Sequence, residues 1–432
     1  MVKVGIIGFG TVGAGTVKVI FQNSGLIKKR TGLDIEIAKI ADLDIKRDRG
    51  IRLPEGILTT DASEIIDDPG IDIVVELIGG IRPAKDFILR AIRNKKHVVT
   101  ANKALLAEEG EEIFQEAKRN GVMLGFEASV AGGIPIIKVV REGLVANRFL
   151  SIYGIINGTS NYILTRMTAE GLSFKEALSE AQRLGYAEAD PTLDVEGIDA
   201  SHKLTILASL AFGIPLSYKS IYREGITGIT PLDINFAKEL GYSIKLLAIA
   251  KLADGELELR VHPTMVPEDY LISKVDGVFN AIYVEGDAVG PTLYYGRGAG
   301  DMPTGSAVVS DIVDIAKRLS SPEPARMAEA YGDVILKDMG EIVSMYYFRF
   351  TALDRPGVLS KISGILGEHN ISIASVIQKG RRIGGAVPLV ILTHMAMEKD
   401  VLKALSEIDR LSVVADRSFF LRVEGKEEDI IK

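Results

Sequence analysis

Residues 2–7 (V-K-V-G-I-I) are an apolar run rich in β-branched side chains, and from residue 11 apolar positions recur at helical spacing through Ile20. A short continuous run followed by a helical period reads as a buried strand entering a helix. Residues 35–40, 71–78 and 97–100 repeat the strand signal with helical stretches between them, which predicts a parallel sheet covered by helices. Further on, a helix is expected from about Ile163 and another ending at Phe212, with strands over 257–261 and 281–285 and a long helix over 306–318. From Met345 the pattern changes. Residues 346–352, 371–378, 387–394 and 412–423 read as strands and 358–369 and 400–408 as helices, with a turn at Asp354-Arg355-Pro356-Gly357 and a glycine-rich hairpin connection over 380–385. That order is β-α-β-β-α-β, the ferredoxin-like arrangement.

Composition narrows the class. At 432 residues and 47% hydrophobic content the chain can build about three cores. The net charge of −7 is spread along the sequence, so no basic stripe speaks for nucleic acid. No apolar run approaches a membrane span and no export signal opens the chain, so a cytoplasmic protein with no membrane partner is expected. The absence of cysteine excludes disulfides, thiolate nucleophiles and cysteine metal sites.

Candidate chemistry begins with Gly8-Phe9-Gly10-Thr11-Val12-Gly13, a G-x-G-x-x-G run between the first strand and helix. In that setting the glycines permit a tight turn, let backbone approach a pyrophosphate and let helix pack on strand, which predicts a dinucleotide-binding (Rossmann) domain. Asp42 ends the second strand, where an acid binds ribose hydroxyls and favours NAD. Lys46, Arg47, Arg49 and Arg52 follow, and cations there accept the 2′-phosphate of NADP, so the choice between the two stays open. Residues 97–100 deliver Thr100 and Lys103 to the carboxyl end of the sheet, over the cofactor crevice. Residues 126–135 are small and glycine-rich, either a carbonyl nest for a monovalent cation or a domain-crossing loop. Asn157-Gly158-Thr159-Ser160 precedes a helix and offers hydroxyls and amides to an anion. Residues 186–204 hold five acids, Glu188, Asp190, Asp194, Glu196 and Asp199, and close on Lys203 one helical turn past Asp199. Leu204, Ile206, Leu207 and Leu210 pull this helix into a core, where a lysine needs a partner or a task.

These features, together with a Gly296-Arg297-Gly298-Ala299-Gly300 loop, occur in an order that resembles homoserine dehydrogenase over nearly the whole chain. The resemblance implies reversible reduction of L-aspartate 4-semialdehyde to L-homoserine with NAD or NADP, in threonine, methionine and isoleucine biosynthesis. Carried over, Lys203 is the proton donor, Lys103 assists, and Asp199 stands beside the catalytic lysine. Glu188 binds the substrate amino group and Asp194 supports it. Gly158 and Thr159 lie in the substrate and cofactor region, while Gly185 and Gly300 cover the cofactor. Glu127, Val130, Gly132 and Ile134 match a backbone sodium site. The domains expected are a dinucleotide-binding domain over 1–135 with a returning helix near 303–320, an α+β catalytic and dimerisation domain over 136–335, and a regulatory domain over 345–425. That last segment, with D-R-P-G-V-L and H-N-I-S-I, resembles an ACT domain, a module that pairs and binds small amino acids. An amino-acid effector follows, L-threonine first and L-isoleucine second, in a homodimer or homotetramer. The chain opens at the Rossmann strand, so a monofunctional enzyme is expected.

The chemistry stands without the resemblance. Hydride addition to an aldehyde builds alkoxide charge, which a positioned ammonium stabilises and protonates. Two other readings compete: an oxidoreductase acting on another semialdehyde or hydroxy acid, and a catalytically retired amino-acid sensor, against which the retention of both lysines speaks.

Overall fold

A computed structural model describes residues 1–215, 217–319, 334–379 and 385–425. The chain forms two compact units, each assembled from separated segments: residues 1–158, 199–221 and 278–334 make the first, and 159–198, 222–277 and 335–432 the second.

In the first unit a six-stranded parallel sheet has the spatial order Leu58–Thr59, Ile35–Ala41, Val2–Ile7, Ile73–Glu76, His97–Thr100, Leu124–Gly125. The register sets Ile7 beside Ala41 and Glu76, and Glu76 beside Thr100, so the carboxyl ends of the central strands finish level with one another. The third predicted strand is shorter than residues 71–78, because the chain turns after Glu76 into Gly79 and Gly80, both at positive φ. The first helix runs beyond Ile20, spanning Thr11–Thr31, and ends at Gly32 in the left-handed conformation. The long late helix starts earlier than residue 306, spanning Asp301–Arg318, and residue 320 lies outside the described residues. It packs on the first helix through facing glycines: a Cβ on Gly15 would lie 2.0 Å from Asp301 O, and one on Gly305 2.6 Å from Gly15 C. Val308, Ile312 and Ile315 thereby join Val4, Ile6, Val17 and Ile20 in one core. The unit also contains antiparallel strands Phe149–Ile155, Phe279–Gly286 and Gly290–Arg297 and the helix Ile198–Phe212.

In the second unit a helix spans Gly158–Glu170, so Thr159 lies within its first turn rather than ahead of it. A long hairpin joins Tyr242–Ala253 to Glu256–Pro267 through Asp254-Gly255, both at positive φ. Two such residues make the tight turn whose twist matches the flanking strands. The carboxyl-terminal module follows the predicted β-α-β-β-α-β order with Val343–Leu353, Val358–Glu368, Ile373–Gln378, Ala386–Thr393, Glu398–Ile408 and Phe419–Val423. Its strands pair antiparallel, and Tyr346, Phe348, Ile362, Leu366, Ile391, Val401 and Leu405 fill its core. The last strand is confined to 419–423 instead of 412–423, and residues 380–384 of the expected hairpin connection lie outside the described residues. Among the described residues no helix is long and apolar enough to cross a membrane.

Candidate functional site

The Ile198–Phe212 helix is buried along almost its whole length, which makes the Asp199–Lys203 pair an interior one. Lys203 Nζ donates to Asp199 Oδ2 and to the carbonyl of Ile156, each at 2.7 Å. Asn157 Nδ2 donates to the same Asp199 oxygen at 2.9 Å, and Lys103 Nζ stands 2.7 Å from Asp199 Oδ1. One carboxylate thus holds two ammonium groups in different settings: the Lys203 side chain is 10% exposed and that of Lys103 43%. Burial opposes ionisation of Asp199, but Lys203 and Lys103 outweigh it and hold the carboxyl well below the ordinary carboxylate range. His202 faces away, 3.6 Å from Glu108 and edge-on to Tyr218.

Lys103 is placed by the ends of two strands. It is the first residue of the helix Lys103–Asn120, which Asn102 caps by accepting from Leu105 N at 3.1 Å. Asn102 N donates to Thr100 Oγ1 at 3.0 Å, and Thr100 Oγ1 donates to Glu76 Oε2 at 2.7 Å. Glu76 Oε1 accepts from Ile78 N and Gly79 N at 2.8 and 3.1 Å. Burial pushes the Glu76 carboxyl up from its ordinary value while these donors pull it back.

The glycine fingerprint fits a dinucleotide. Gly8 has φ +105°, and a Cβ there would lie 2.6 Å from Leu77 C. A Cβ on Gly13 would meet Gly8 O at 2.1 Å, whereas the space over Gly10 is open within 4 Å. No side chain caps the helix Thr11–Thr31, so its positive end faces that space, with Phe9, Thr11 and Val12 around it. Asp42 is engaged: Oδ2 accepts from Phe9 N at 2.6 Å, and Oδ1 accepts from Asp44 N and lies 3.3 Å from Arg49 Nη2. Arg49 also donates to the carbonyl of Phe9 and stacks 4.7 Å over its ring. Gly300, at φ +124°, caps the start of the late helix.

In the glycine-rich loop, Ala131 and Gly132 both take positive φ, the conformation that turns successive carbonyls. A Cβ on Gly132 would lie 2.4 Å from Gly298 O, so the loop has no room for a side chain there. Glu127, Val130, Gly132 and Ile134 are all buried. The Glu127 carboxylate is spent on the backbone N–H groups of Ile137 and Lys138 at 2.8 and 2.9 Å, which leaves only its carbonyl for a cation. Burial raises its pKa, and it also pushes Asp311, which accepts from Glu127 N at 2.7 Å, to about 7. Among the described residues no cluster of three or more His, Asp or Glu could hold a metal.

The remaining expected residues belong to the second unit, apart from Gly158 at the head of its helix. Thr159 Oγ1 donates to Tyr186 O at 2.6 Å, and Ser160 Oγ donates to the carbonyl of Asp194 at 2.9 Å. Gly185 takes φ +76°, Glu188 is exposed, Asp194 is half-buried, and Asp190 Oδ1 accepts from Thr192 N and Thr192 Oγ1 at 3.1 and 2.6 Å. Of the five acids, Asp199 alone belongs to the unit with the two lysines. The reading from sequence missed Asn157 as a side chain, the Ile156 carbonyl, Glu76 and Asn102. Asn157 and Glu76 had a signal, polar residues at the ends of apolar runs; a backbone carbonyl has none.

Family models match three stretches of the chain: homoserine dehydrogenase NAD-binding domain over residues 8–127, homoserine dehydrogenase over 135–313, and ACT domain over 346–413. The homoserine dehydrogenase of Pseudomonas aeruginosa is 49% identical, covering 98% of this chain and 99% of its own length. That of Helicobacter pylori is 47% identical with the same coverage. Among solved structures, a homoserine dehydrogenase from Thiobacillus denitrificans superposes with a TM-score of 0.92 at 50% identity, covering 98% of each chain. A hyperthermophilic archaeal homoserine dehydrogenase in complex with NADPH gives 0.64 at 27% identity, covering 75% of this chain and 99% of its own.

Proposed function

We propose, from the premise that this chain belongs to the homoserine dehydrogenase family, that it reversibly reduces L-aspartate 4-semialdehyde to L-homoserine with a nicotinamide cofactor. The observation that carries the reading is buried Asp199 bridging buried Lys203 and the more exposed Lys103 at the carboxyl end of a parallel sheet that also bears the glycine fingerprint. The cofactor supplies hydride. Lys203, oriented by Ile156 O and Asp199, gives the proton to the carbonyl oxygen, and Lys103 adds positive charge as the alkoxide develops. Asp199 keeps both lysines in place and Asn157 keeps Asp199 in place. Glu188 holds the substrate amino group with Asp194 in support, and Gly158 and Thr159 line the same region. Thr100, Gly185 and Gly300 cover the cofactor.

NADP is the preferred cofactor. Asp42 already serves Phe9 N and is neutralised by Arg49, so it does not stand as an unpaired acid against a 2′-phosphate, while Lys46 and Arg47 are exposed beside it. The archaeal relative solved with NADPH supports this choice. The carbonyls of Glu127, Val130, Gly132 and Ile134 take a sodium ion that shapes the loop they form. The ACT module binds L-threonine in the cavity lined by Asp354, Arg355, Gly357, Val358 and Gln378, where the Val358–Glu368 helix starts with no side-chain cap. The protein is cytoplasmic and works as a homodimer or homotetramer.

The deciding experiment compares initial rates with NADPH and NADH on aspartate semialdehyde, with and without millimolar threonine. No turnover with either cofactor rejects the enzyme; equal rates reject the cofactor preference; no inhibition together with no calorimetric binding rejects the effector.

A further inference from the structure

Glu76 is completely buried, and among the described residues no cation pairs with it. A lone carboxylate in that position is costly unless its acceptor sites are filled. They are filled by donors only: Ile78 N, Gly79 N, the Thr100 hydroxyl and the Asn102 side-chain amide. Thr100 Oγ1 accepts from Asn102 N, so its single proton is committed to Glu76. Asn102 closes the circuit with Nδ2 on Gly80 O at 2.6 Å and Oδ1 on Leu105 N. One side chain therefore ties the turn after the fourth parallel strand in sequence to the turn that launches the Lys103 helix.

We propose that Glu76 is a positioning residue for Lys103: through Thr100 and Asn102 its carboxylate fixes the first turn of the Lys103–Asn120 helix and so the place of the Lys103 ammonium beside Asp199. The inference rests on the role given to Lys103 above. A glutamine at this position cannot substitute. If its amide faces Thr100, the hydroxyl proton loses its acceptor; if it faces the turn, it opposes the Ile78 and Gly79 N–H groups.

The test is a double-mutant cycle on the full-length enzyme, reading kcat and KM for aspartate semialdehyde in wild type, Glu76→Gln, Lys103→Met and the double variant. Misplacing a catalytic group by a fraction of an ångström should cost kcat roughly tenfold in Glu76→Gln, with KM moved far less, and about twofold or less once Lys103 is already absent. Thr100→Ser keeps the hydroxyl that donates to Glu76 and should lose less kcat than Thr100→Val, which should match Glu76→Gln. This pair, cycled against Lys103→Met, carries the test if Glu76→Gln does not fold. Equal factors in both backgrounds, or a Thr100→Ser variant as impaired as Thr100→Val, overturn the inference alone. Wild-type turnover in Lys103→Met removes the role of Lys103 and the inference with it.

Discussion

Replacing Lys203 with methionine keeps most of the buried stem and removes the ammonium that donates at 2.7 Å to both Ile156 O and Asp199 Oδ2. Asp199 still has Lys103 at 2.7 Å and Asn157 at 2.9 Å, so the carboxylate is not stranded. Breaking a buried pair with no remaining partner costs about 3–5 kcal/mol, and with these two partners retained the loss should be nearer 1–2 kcal/mol. The fold survives that. Catalysis does not: a positioned proton donor contributes roughly 10²–10⁴ in rate, or about 3–5 kcal/mol of barrier. The assay is the initial rate of reduced-cofactor oxidation at saturating aspartate semialdehyde, with cofactor affinity from a fluorescence titration of the same preparation. The expected result is a kcat lower by at least about 100-fold with cofactor affinity within about threefold of wild type. A variant that turns over within about threefold of wild type would remove Lys203 as the proton donor and leave water or Lys103 to supply it.

Arg49→Ser should release Asp42 to bind a ribose diol, so the ratio of kcat/KM for NADPH over NADH should fall by at least tenfold, about 1.4 kcal/mol; an unchanged ratio assigns the choice elsewhere. His262 is fully buried, with Nε2 3.3 Å from Arg260 Nη1, and burial, then Arg422 and Arg260, hold its pKa well below 6.5. The native state therefore binds fewer protons than the unfolded chain below pH 6.5, and stability should fall by up to about 1.4 kcal/mol for each pH unit on the acid side. Melting midpoints measured between pH 7.5 and 5.0 should drop less in His262→Gln than in wild type; parallel curves refute the assignment. Gly15→Ala puts a methyl 2.0 Å from Asp301 O and should cost about 1–3 kcal/mol, read as a melting midpoint lower by several degrees and weaker cofactor binding. An unshifted midpoint would mean that the two helices separate without penalty.

The parts of the fold legible in the sequence were those in which one short-range signal decides. The His97–Thr100 strand, the Phe212 helix end and the start of the Val358 helix agree with the apolar period and its punctuation. The Tyr242–Ala253 strand was not foreseen, because its central residues are buried and apolar on both faces and show no alternation to separate strand from helix. At the site, the Asp199–Lys203 pair followed from helical spacing and proved to be interior. Its link to Lys103 joins positions 96 residues apart and became visible only in three dimensions. The cofactor choice stayed open in sequence because Asp42 and Arg49 argue oppositely as isolated residues. Their contact with each other and with Phe9 is a pairing that neither residue shows alone.

The late helix against the first one has a consequence for how the molecule comes into being. The ribosome releases Thr31 some 270 residues before Asp301, an interval of roughly 15–50 seconds at ordinary elongation rates. Throughout that time Val17 and Ile20 lack Val308, Ile312 and Ile315, and the nucleotide loop rests on a half-built layer. A message cut short anywhere ahead of codon 301 therefore yields a product that displays the glycine motif yet holds no dinucleotide firmly. Translation must pass residue 318 of 432 before the nascent polypeptide can withdraw cofactor from the cell.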